Sequence, residues 1–586
     1  MERDHFWVVF FLLIIMKNLI ATLLLMLICV VSAQAQNTSF TEGRYRITMK
    51  DKNKSPYSVN RPQEFLSQKA IERREKFGIA ITEQDLPVTP QYLSTISDLG
   101  AVLCNTSKWF NSAVFYIETK EIYDLVSKLT FVKNMEYVAP PIKYKNDKRS
   151  LVKQPSISQD LSIITDVNKQ RAKDATISLI SIYGHSIQQH IMFGTYISHV
   201  KGYYGQNMTI AVIDAGFLHV DSAAVFQKLW DDNRILFTRD MTGTPKFCDT
   251  SSIFQSGSHG MTVLSLIGGF YPGKLVGTAP GANFILLRSE EEETEYRVEE
   301  DNWVAAAEVA DSAGADIIST SLGYSEFDDK TQNYTYSQMN GNTSRITVGA
   351  DIAASKGMLL VNSAGNSGDE KWKYITSPAD ADSVLTVGAC KLNGKKTKFS
   401  SFGPTSDGRI KPDVMALGLY PTIVTANGTI KNSSGGTSFS CPLIAGCCAT
   451  LWQEFPDSSA QAIKRVFMRS GDRYAKPNVK YGNGIPDIQK ARAYFYAKEF
   501  YDKLATKYVL PDFDTFFEKI WKDGDGCNLG KDFVFMIDVG KKQYHSFVIV
   551  NHNYDEVQLP DIPEKGGKLL CMIDIKKSVS IKITPR

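Results

Sequence analysis

Serine, histidine and aspartate stand at three places in the sequence where they could act together in nucleophilic catalysis. Ser438 lies between the turn 435–437 and an apolar run that begins at Leu443, which predicts a tight turn opening a buried helix. The free N–H groups at a helix N-terminus favour a developing negative charge. A serine hydroxyl is a poor nucleophile until a base takes its proton, so Ser438 requires a histidine and an orienting acid elsewhere.

His259 is the best placed of the eight histidines to be that base, because it begins an apolar helix predicted over 259–267. Asp214 directly follows an apolar strand predicted over 209–213. An acid there is either a turn residue or the group that holds an imidazole in one tautomer. A single histidine is more often structural than catalytic, so each residue alone leaves both interpretations open.

The central part of the chain must position these residues. Short apolar strands alternate with helices from about 200 to 470, which predicts an α/β fold with a parallel sheet covered by helices on both faces. Functional sites in such sheets gather at the carboxyl ends of the strands. Asp214, Ser321 and Asn366 each follow a predicted strand, so we expect them at one edge.

Two smaller regions flank this part. Residues 36–145 alternate strands with helices and predict a small α+β domain. Residues 146–199 form a linker and lead-in segment, polar at first, with Lys148-Arg149 as a candidate cleavage point. The central domain is assigned to 200–495, and residues 500–586 show strands without helices, which predicts a small β-rich C-terminal domain.

Residues 1–35 have the pattern of a signal peptide. Lys17 precedes an apolar run over 19–31 and the cleavage motif Ala33-Gln34-Ala35, and Met16 would be a natural start. The alternative is an uncleaved anchor, because 6–31 could span a bilayer. Lys17-Asn18 interrupts that span, so we expect cleavage, no stable membrane insertion, and a secreted, cell-surface or periplasmic protein.

Composition narrows the partners. The chain has 586 residues, a net charge of +3 and 43% hydrophobic residues, which is typical of a multi-domain globular protein. Nothing in that charge favours nucleic acid or an anionic membrane, which leaves small molecules and proteins. The cysteines beyond the signal show neither a disulfide framework nor metal-ligand spacing, so no metal site is assigned.

Five segments together resemble the signatures of bacterial secreted subtilisin-like serine peptidases: IAVIDAG, SHGMTVLS, ISTSLG, NSAGNSG and GGTSFSCPLIAG, in the family's order along residues 200 to 490. The resemblance implies a subtilisin-like catalytic domain. It makes Ser438 the nucleophile, His259 the general base, Asp214 its orienting carboxylate and Asn366 the side-chain donor of the oxyanion hole. It also implies substrate-binding segments Ser321, Leu322, Gly323 and Ser363, Ala364, Gly365, the first walling the pocket for the residue before the cut.

The family context decides between functions that the residues alone leave open. Outside it, Asn366 could be a turn asparagine and 321–323 an ordinary strand end. The chain departs from the family pattern at Met261-Thr262 and at Phe439, positions that perform no chemistry. We therefore expect a serine endopeptidase that acts on proteins or peptides; the alternative is a non-catalytic binding or adhesion protein on the same scaffold. An esterase is disfavoured because no Gly-x-Ser-x-Gly elbow surrounds Ser438.

The resemblance also assigns the region 36–145 to a propeptide, which would act as inhibitor and folding template and be removed near Lys148-Arg149. The alternative is a retained accessory domain. No cofactor is expected; calcium is common in the family, but no ligand set can be placed here.

One acidic run stands out, made of Glu290–Glu293, Glu295 and 299–301. Such a run is typical of a solvated loop. The alternative hypothesis is a preference for Lys or Arg in the substrate upstream of the cut.

Overall fold

The N-terminal domain is a four-stranded antiparallel sheet with helices against it. The computed structural model describes residues 40–141, 161, 179–243, 253–517, 533–538, 544–549, 567–574 and 577–585. The sheet order is β2-β3-β1-β4, and its elements are β1 (Gly43–Met49), α1 (Gln68–Phe77), α2 (Pro90–Asp98), β2 (Val102–Ser107), β3 (Ser112–Ile117), α3 (Lys120–Ser127) and β4 (Val132–Ala139). The predicted signal peptide and Lys148-Arg149 lie outside the described residues.

The spacing of apolar residues over 62–77 predicts one helix, but the helix in the structure is shorter. A short 3-10 turn occupies Pro62–Glu64, and α1 begins after Ser67, whose hydroxyl accepts a hydrogen bond from the Ala70 N–H at 3.3 Å. Helix α2 was not predicted, because few of its residues are apolar and only Ile96 is buried.

The central domain is the α/β fold expected from the sequence. Seven parallel strands run in the order β13-β12-β11-β10-β5-β9-β6. They are β5 (Thr209–Asp214), β6 (Ile235–Asp240), β9 (Asn283–Arg288), β10 (Ile317–Thr320), β11 (Leu359–Ser363), β12 (Leu385–Cys390) and β13 (Val414–Leu417); short strand pairs are β7 (Phe270–Tyr271) with β8 (Leu275–Val276) and β14 (Thr422–Val424) with β15 (Ile430–Asn432).

Helices cover both faces of this sheet. The helices are α4 (Ile187–Phe193), α5 (Thr195–Val200), α6 (Gln227–Asp231), α7 (Ser258–Gly268), α8 (Val298–Ala313), α9 (Arg345–Ser355), α10 (Thr437–Glu454), α11 (Ala460–Ser470) and α12 (Ile488–Lys507). One apolar core lies between the sheet and α7, α10 and α11, and a second lies between the sheet and α8 and α9. Burial of all five residues from Leu359 to Ser363 in β11 shows why its apolar run does not alternate.

The two domains meet along α8 through ion pairs from which water is largely excluded. Asp311 of α8, with no exposed surface, accepts from Arg73 at 2.7 Å and Arg74 at 2.9 Å, while Lys108 lies 3.4 Å away. The carboxylate of Glu308 also accepts backbone N–H groups of the N-terminal domain, at Lys108 (2.7 Å) and Trp109 (3.0 Å). These contacts fix the N-terminal domain against α8.

The C-terminal region begins on the central domain. Helix α12 crosses the boundary expected between 495 and 500, and Arg492 ties it to α10 through Glu454 at 2.6 Å. Five strands follow in the sheet order β16-β20-β19-β17-β18, namely β16 (Tyr508–Val509), β17 (Phe533–Asp538), β18 (Tyr544–Ile549), β19 (Gly567–Asp574) and β20 (Lys577–Pro585). Among the described residues, no helix has the length and apolarity needed to cross a membrane.

Candidate active site

Asp214 and His259 form a hydrogen-bonded pair at the carboxyl edge of the sheet. Asp214 is the last residue of β5 and is completely buried, while His259 stands in the first turn of α7. The Nδ1 atom of His259 lies 2.7 Å from Oδ1 of Asp214. A proton on Nδ1 shared with the carboxylate leaves Nε2 as a proton acceptor.

Glycines make this close pairing possible. Gly216 (φ +145°) follows Asp214, and Gly257 (φ +66°) precedes α7; a Cβ on Gly257 would lie 2.6 Å from the Cα of Gly216. A Cβ on Gly260 would lie 2.9 Å from the Cβ of Asp214. The two backbones therefore approach to a distance that side chains would prevent. Sequence reasoning did not assign a role to these glycines, although Gly260 directly follows His259 and the other two lie two positions from a candidate residue.

The charge around His259 favours its protonated form. Burial by itself lowers the pKa of His259, but the Asp214 carboxylate, with smaller contributions from Glu290 and Glu292, raises it above the usual value. Glu292 also accepts a hydrogen bond from the Gly257 N–H at 3.2 Å. An imidazolium formed during a reaction would thus be stabilised here.

Ser438 lies in the first turn of α10, as the sequence predicts, and is 7% exposed. Its hydroxyl donates to the Ser321 carbonyl at 3.3 Å, and no hydrogen bond to His259 is present among the described contacts. The Ser321 hydroxyl returns a hydrogen bond to the Ser438 carbonyl at 2.9 Å. Ser438 and His259 line the same cavity.

Asn366 is oriented by the residue before Ser438. Its Oδ1 accepts from the N–H of Thr437 at 2.8 Å and from the Thr437 hydroxyl at 3.0 Å. Because Oδ1 accepts both hydrogen bonds from Thr437, the Nδ2 group can donate to another acceptor. Asn366 and Ser438 line the same cavity, which gives that donor a place near the serine. Thr437 has this orienting role without having been singled out in the sequence.

The cavity has a volume of about 620 Å³ and contains most of the expected substrate-binding residues. Ser321, Leu322 and Gly323 line it, as do Ser363 and Gly365. Ala364 does not: its side chain is fully buried in a small apolar cluster with Ile375 and Ala379. The sequence missed Tyr324, Ser325 and Thr376, which also line the cavity.

The acidic run is not the solvated loop that its composition suggests. Glu299 is 1% exposed, Glu300 has no exposed surface and Asp301 is 2% exposed. Their partners come from distant parts of the chain: Arg46 and Arg345 bind Asp301, and Tyr334 binds Glu300. Only Glu292 and Glu293 of the run are exposed. Burial was unpredictable because no local pattern reveals partners that lie so far away in sequence.

The expected departures from the family pattern are packing positions. Met261 is completely buried, and the Thr262 hydroxyl donates to the Val424 carbonyl at 2.8 Å. The ring of Phe439 lies 6.4 Å from the ring of His259, measured between centroids. For metals, the described residues bring three possible ligand atoms within 4.8 Å of one another only at Glu290, Glu295 and Glu299.

Comparison with known proteins places this chain in a family. Residues 205–484 match the Subtilase family, and residues 44–154 match the Peptidase S8 propeptide domain of Bacteroidota. Subtilisin NAT of Bacillus subtilis subsp. natto is 26% identical over 338 residues, 55% of this chain and 77% of that protein. Serine protease AprX of Bacillus subtilis (strain 168) is 27% identical over 317 residues, 49% of this chain and 66% of that protein.

Among solved structures, MycP1 from Mycobacterium smegmatis is similar over 52% of this chain and 84% of its own, at 22% identity and a TM-score of 0.39. The two family matches cover the N-terminal domain and the central sheet with its edge of candidate residues. The chain belongs to the subtilase family, the subtilisin-like serine endopeptidases.

Proposed function

We propose that this chain is an exported serine endopeptidase in which Ser438 attacks the peptide carbonyl while His259 takes its proton at Nε2. Asp214 holds the imidazole by its Nδ1 and stabilises the imidazolium. Asn366 donates from Nδ2 to the oxyanion that forms as the carbonyl carbon becomes tetrahedral. His259 then gives the proton to the leaving amine, and a water activated in the same way releases the acyl group from Ser438.

The observation that carries this proposal is the common cavity of His259, Ser438 and Asn366 at the strand edge, with Asp214 2.7 Å behind the imidazole. Ser321, Leu322 and Gly323 form one wall of that cavity, where an extended peptide could pair with the strand end. The non-catalytic binding alternative offers no reason for an imidazole, a hydroxyl and an amide to share one cleft.

Labelling with a fluorophosphonate, combined with casein cleavage, tests this function. The wild-type chain should be labelled and active, while Ser438→Ala should lose both properties and His259→Ala should lose activity by several orders of magnitude. Asn366→Ala should lower kcat by about 100- to 1,000-fold, the range known for the corresponding amide of subtilisin. Ser355→Ala, an exposed serine of α9, is the matched control and should behave as wild type. Labelling that persists in Ser438→Ala would refute the assignment.

Export and processing belong to the same proposal. The pattern of residues 1–35 supports a cleaved signal peptide, and the propeptide match that ends at residue 154 supports removal of the N-terminal domain near Lys148-Arg149. Intact-mass analysis of the secreted wild type beside Ser438→Ala tests self-processing. A shorter wild-type product is expected, and products of equal length would exclude self-processing.

A further inference from the structure

The cavity that holds the candidate catalytic residues continues into an acidic region. Beyond His259 and Ser438, its lining includes the carboxylates of Glu290, Glu291, Glu292, Glu293, Glu295, Glu299 and Asp328, and no lysine or arginine is among the described residues that line it. Ser321, Leu322 and Gly323 form its wall on one side. Because that segment is expected to border the residue before the cut, the acidic region lies on the upstream side of the scissile bond.

Three of these side chains are gathered into one cluster. Carboxylate oxygens of Glu290, Glu295 and Glu299 lie within 4.8 Å of one another. Glu290 is 8% exposed and Glu299 is 1% exposed. Burial, together with repulsion from Glu295, raises the pKa of Glu290 to about 8, and burial with repulsion from Asp328 raises the pKa of Glu295 to about 7. The cluster therefore lacks the positive charge that would stabilise its ionised form.

One oxygen of the cluster also lacks a hydrogen-bond donor. The Glu299 Oε1 accepts from the Glu291 N–H at 2.6 Å, but its Oε2 is buried without a partner. An unpartnered carboxylate oxygen away from water is costly, and the cost is relieved when a donor arrives. Since Glu299 lines the cavity, a group entering from the cleft is the natural source of that donor.

The precursor shows how this loop holds a basic side chain. The Arg44 guanidinium, from the N-terminal domain, binds both oxygens of Glu291, with Nη2 to Oε2 at 2.8 Å. Its Nε also donates to the Pro140 carbonyl at 2.9 Å. Arg44 pairs with Glu291, the neighbour of the cluster, whereas Glu290, Glu295 and Glu299 have no ion-pair partner among the described residues.

Calcium fits the cluster less well than a side chain does. Calcium takes six to eight oxygen ligands. Both oxygens of Glu290 already accept from the Tyr324 hydroxyl, at 2.6 and 2.7 Å, and one oxygen of Glu299 is held by a backbone N–H. The remaining lone pairs suit the several directed N–H donors of an ammonium or guanidinium group on a flexible stem.

We propose that Glu290, Glu295 and Glu299 bind a lysine or arginine side chain of the substrate upstream of the scissile bond. This inference rests on the proposed peptidase function and names the substrate class that the enzyme selects. The processed enzyme should prefer a basic residue over an uncharged one of similar length by about 10- to 100-fold in kcat/KM, the range of a charge-assisted hydrogen bond. Added salt should reduce the preference where the site is open to solvent.

Matched peptides test the proposal on the processed enzyme. Cleavage of a proteome-derived peptide mixture first locates the favoured upstream position. Two quenched fluorescent peptides that differ there only by lysine or norleucine then give a ratio of kcat/KM. The ratio should be high for wild type and fall towards one for Glu299→Gln, which keeps the side-chain shape and removes the charge. If Glu299→Gln fails to fold, the same ratio is measured for Glu295→Gln, a change at a half-buried position.

Asp457→Asn is the matched control, because Asp457 is a 94% exposed carboxylate that does not line the cavity; its ratio should equal that of wild type. Equal cleavage of both peptides by wild type overturns this inference alone, whereas failure to cleave either peptide overturns the peptidase function itself. A third outcome would assign the cluster to a metal ion and also overturn this inference. In it, wild type shows no preference for lysine, EDTA removes its activity and Ca²⁺ restores that activity, while Ca²⁺ does not restore the activity of Glu299→Gln.

Discussion

Asp311→Asn should weaken the hold of the N-terminal domain on the processed peptidase by about 100-fold or more. Asp311 belongs to α8 of the central domain, but its side chain pairs with Arg73, Arg74 and Lys108, all from the N-terminal domain. Removing one partner of a buried ion pair costs about 3–5 kcal/mol, because the opposite charge stays buried and unpaired.

The lower end of that range applies here, because the stranded cations keep other partners. Arg74 retains Asp85 at 3.2 Å, and Arg73 retains the carbonyls of Ala315 and Lys356. A loss of about 3 kcal/mol corresponds to about a 100-fold rise in the inhibition constant. In the free peptidase Asp311 would face water, so its replacement should leave kcat/KM on a short peptide unchanged.

The assay is inhibition of the processed enzyme by residues 36–149 added in trans. Asp457→Asn is again the matched control, since the Lys76–Asp457 pair joins the same two domains at 2.8 Å but is exposed. That variant should change the inhibition constant by less than about fivefold. Equal inhibition constants for the two variants would show that the buried ion pairs do not hold the domains together.

Two further variants test the geometry and charge at His259. Glu292→Gln removes a negative charge that helps to raise the pKa of His259. The acidic limb of the pH profile of kcat/KM, where His259 becomes protonated, should therefore move to lower pH. Glu293→Gln, a change at the neighbouring exposed residue, should move that limb less. Gly260→Ala should lower kcat by about 100-fold, because the new Cβ would lie 2.4 Å from the Gly216 carbonyl oxygen and would displace a catalytic group. An unchanged kcat would mean that the backbone at Gly216 shifts without disturbing Asp214.

The sequence predicts those parts of the fold whose cause is local. A continuous apolar strand such as 209–213 indicates a buried parallel sheet, and the structure has that strand at Thr209–Asp214. Strand β6 was missed because it lies at the sheet edge, where most of its residues are half-buried or exposed and its sequence has no continuous apolar run. Helix α2 was missed because it buries little, so its sequence carries no strong period.

In the candidate site, too, the sequence predicts what has a local cause and misses what depends on distant contacts. Asp214, His259, Ser438 and Asn366 were placed at one edge by strand order and motif, and the structure brings them to that edge. A motif does not predict the burial and ion pairs that residues far away in the sequence provide. The burial of the acidic run depends on contacts such as Arg44 with Glu291, 247 positions apart.

The acidic run has consequences for the order of events in this protein. While the N-terminal domain is in place, Arg44 neutralises Glu291 and Arg46 binds Asp301 at 2.8 Å. The proposed removal of that domain would take these cations away, so the cleft would be more negative in the processed form than in the precursor. Cationic substrates would then be attracted most strongly to the processed form. One acidic run would thus supply both the residues that bind the N-terminal domain and those proposed to select basic substrates.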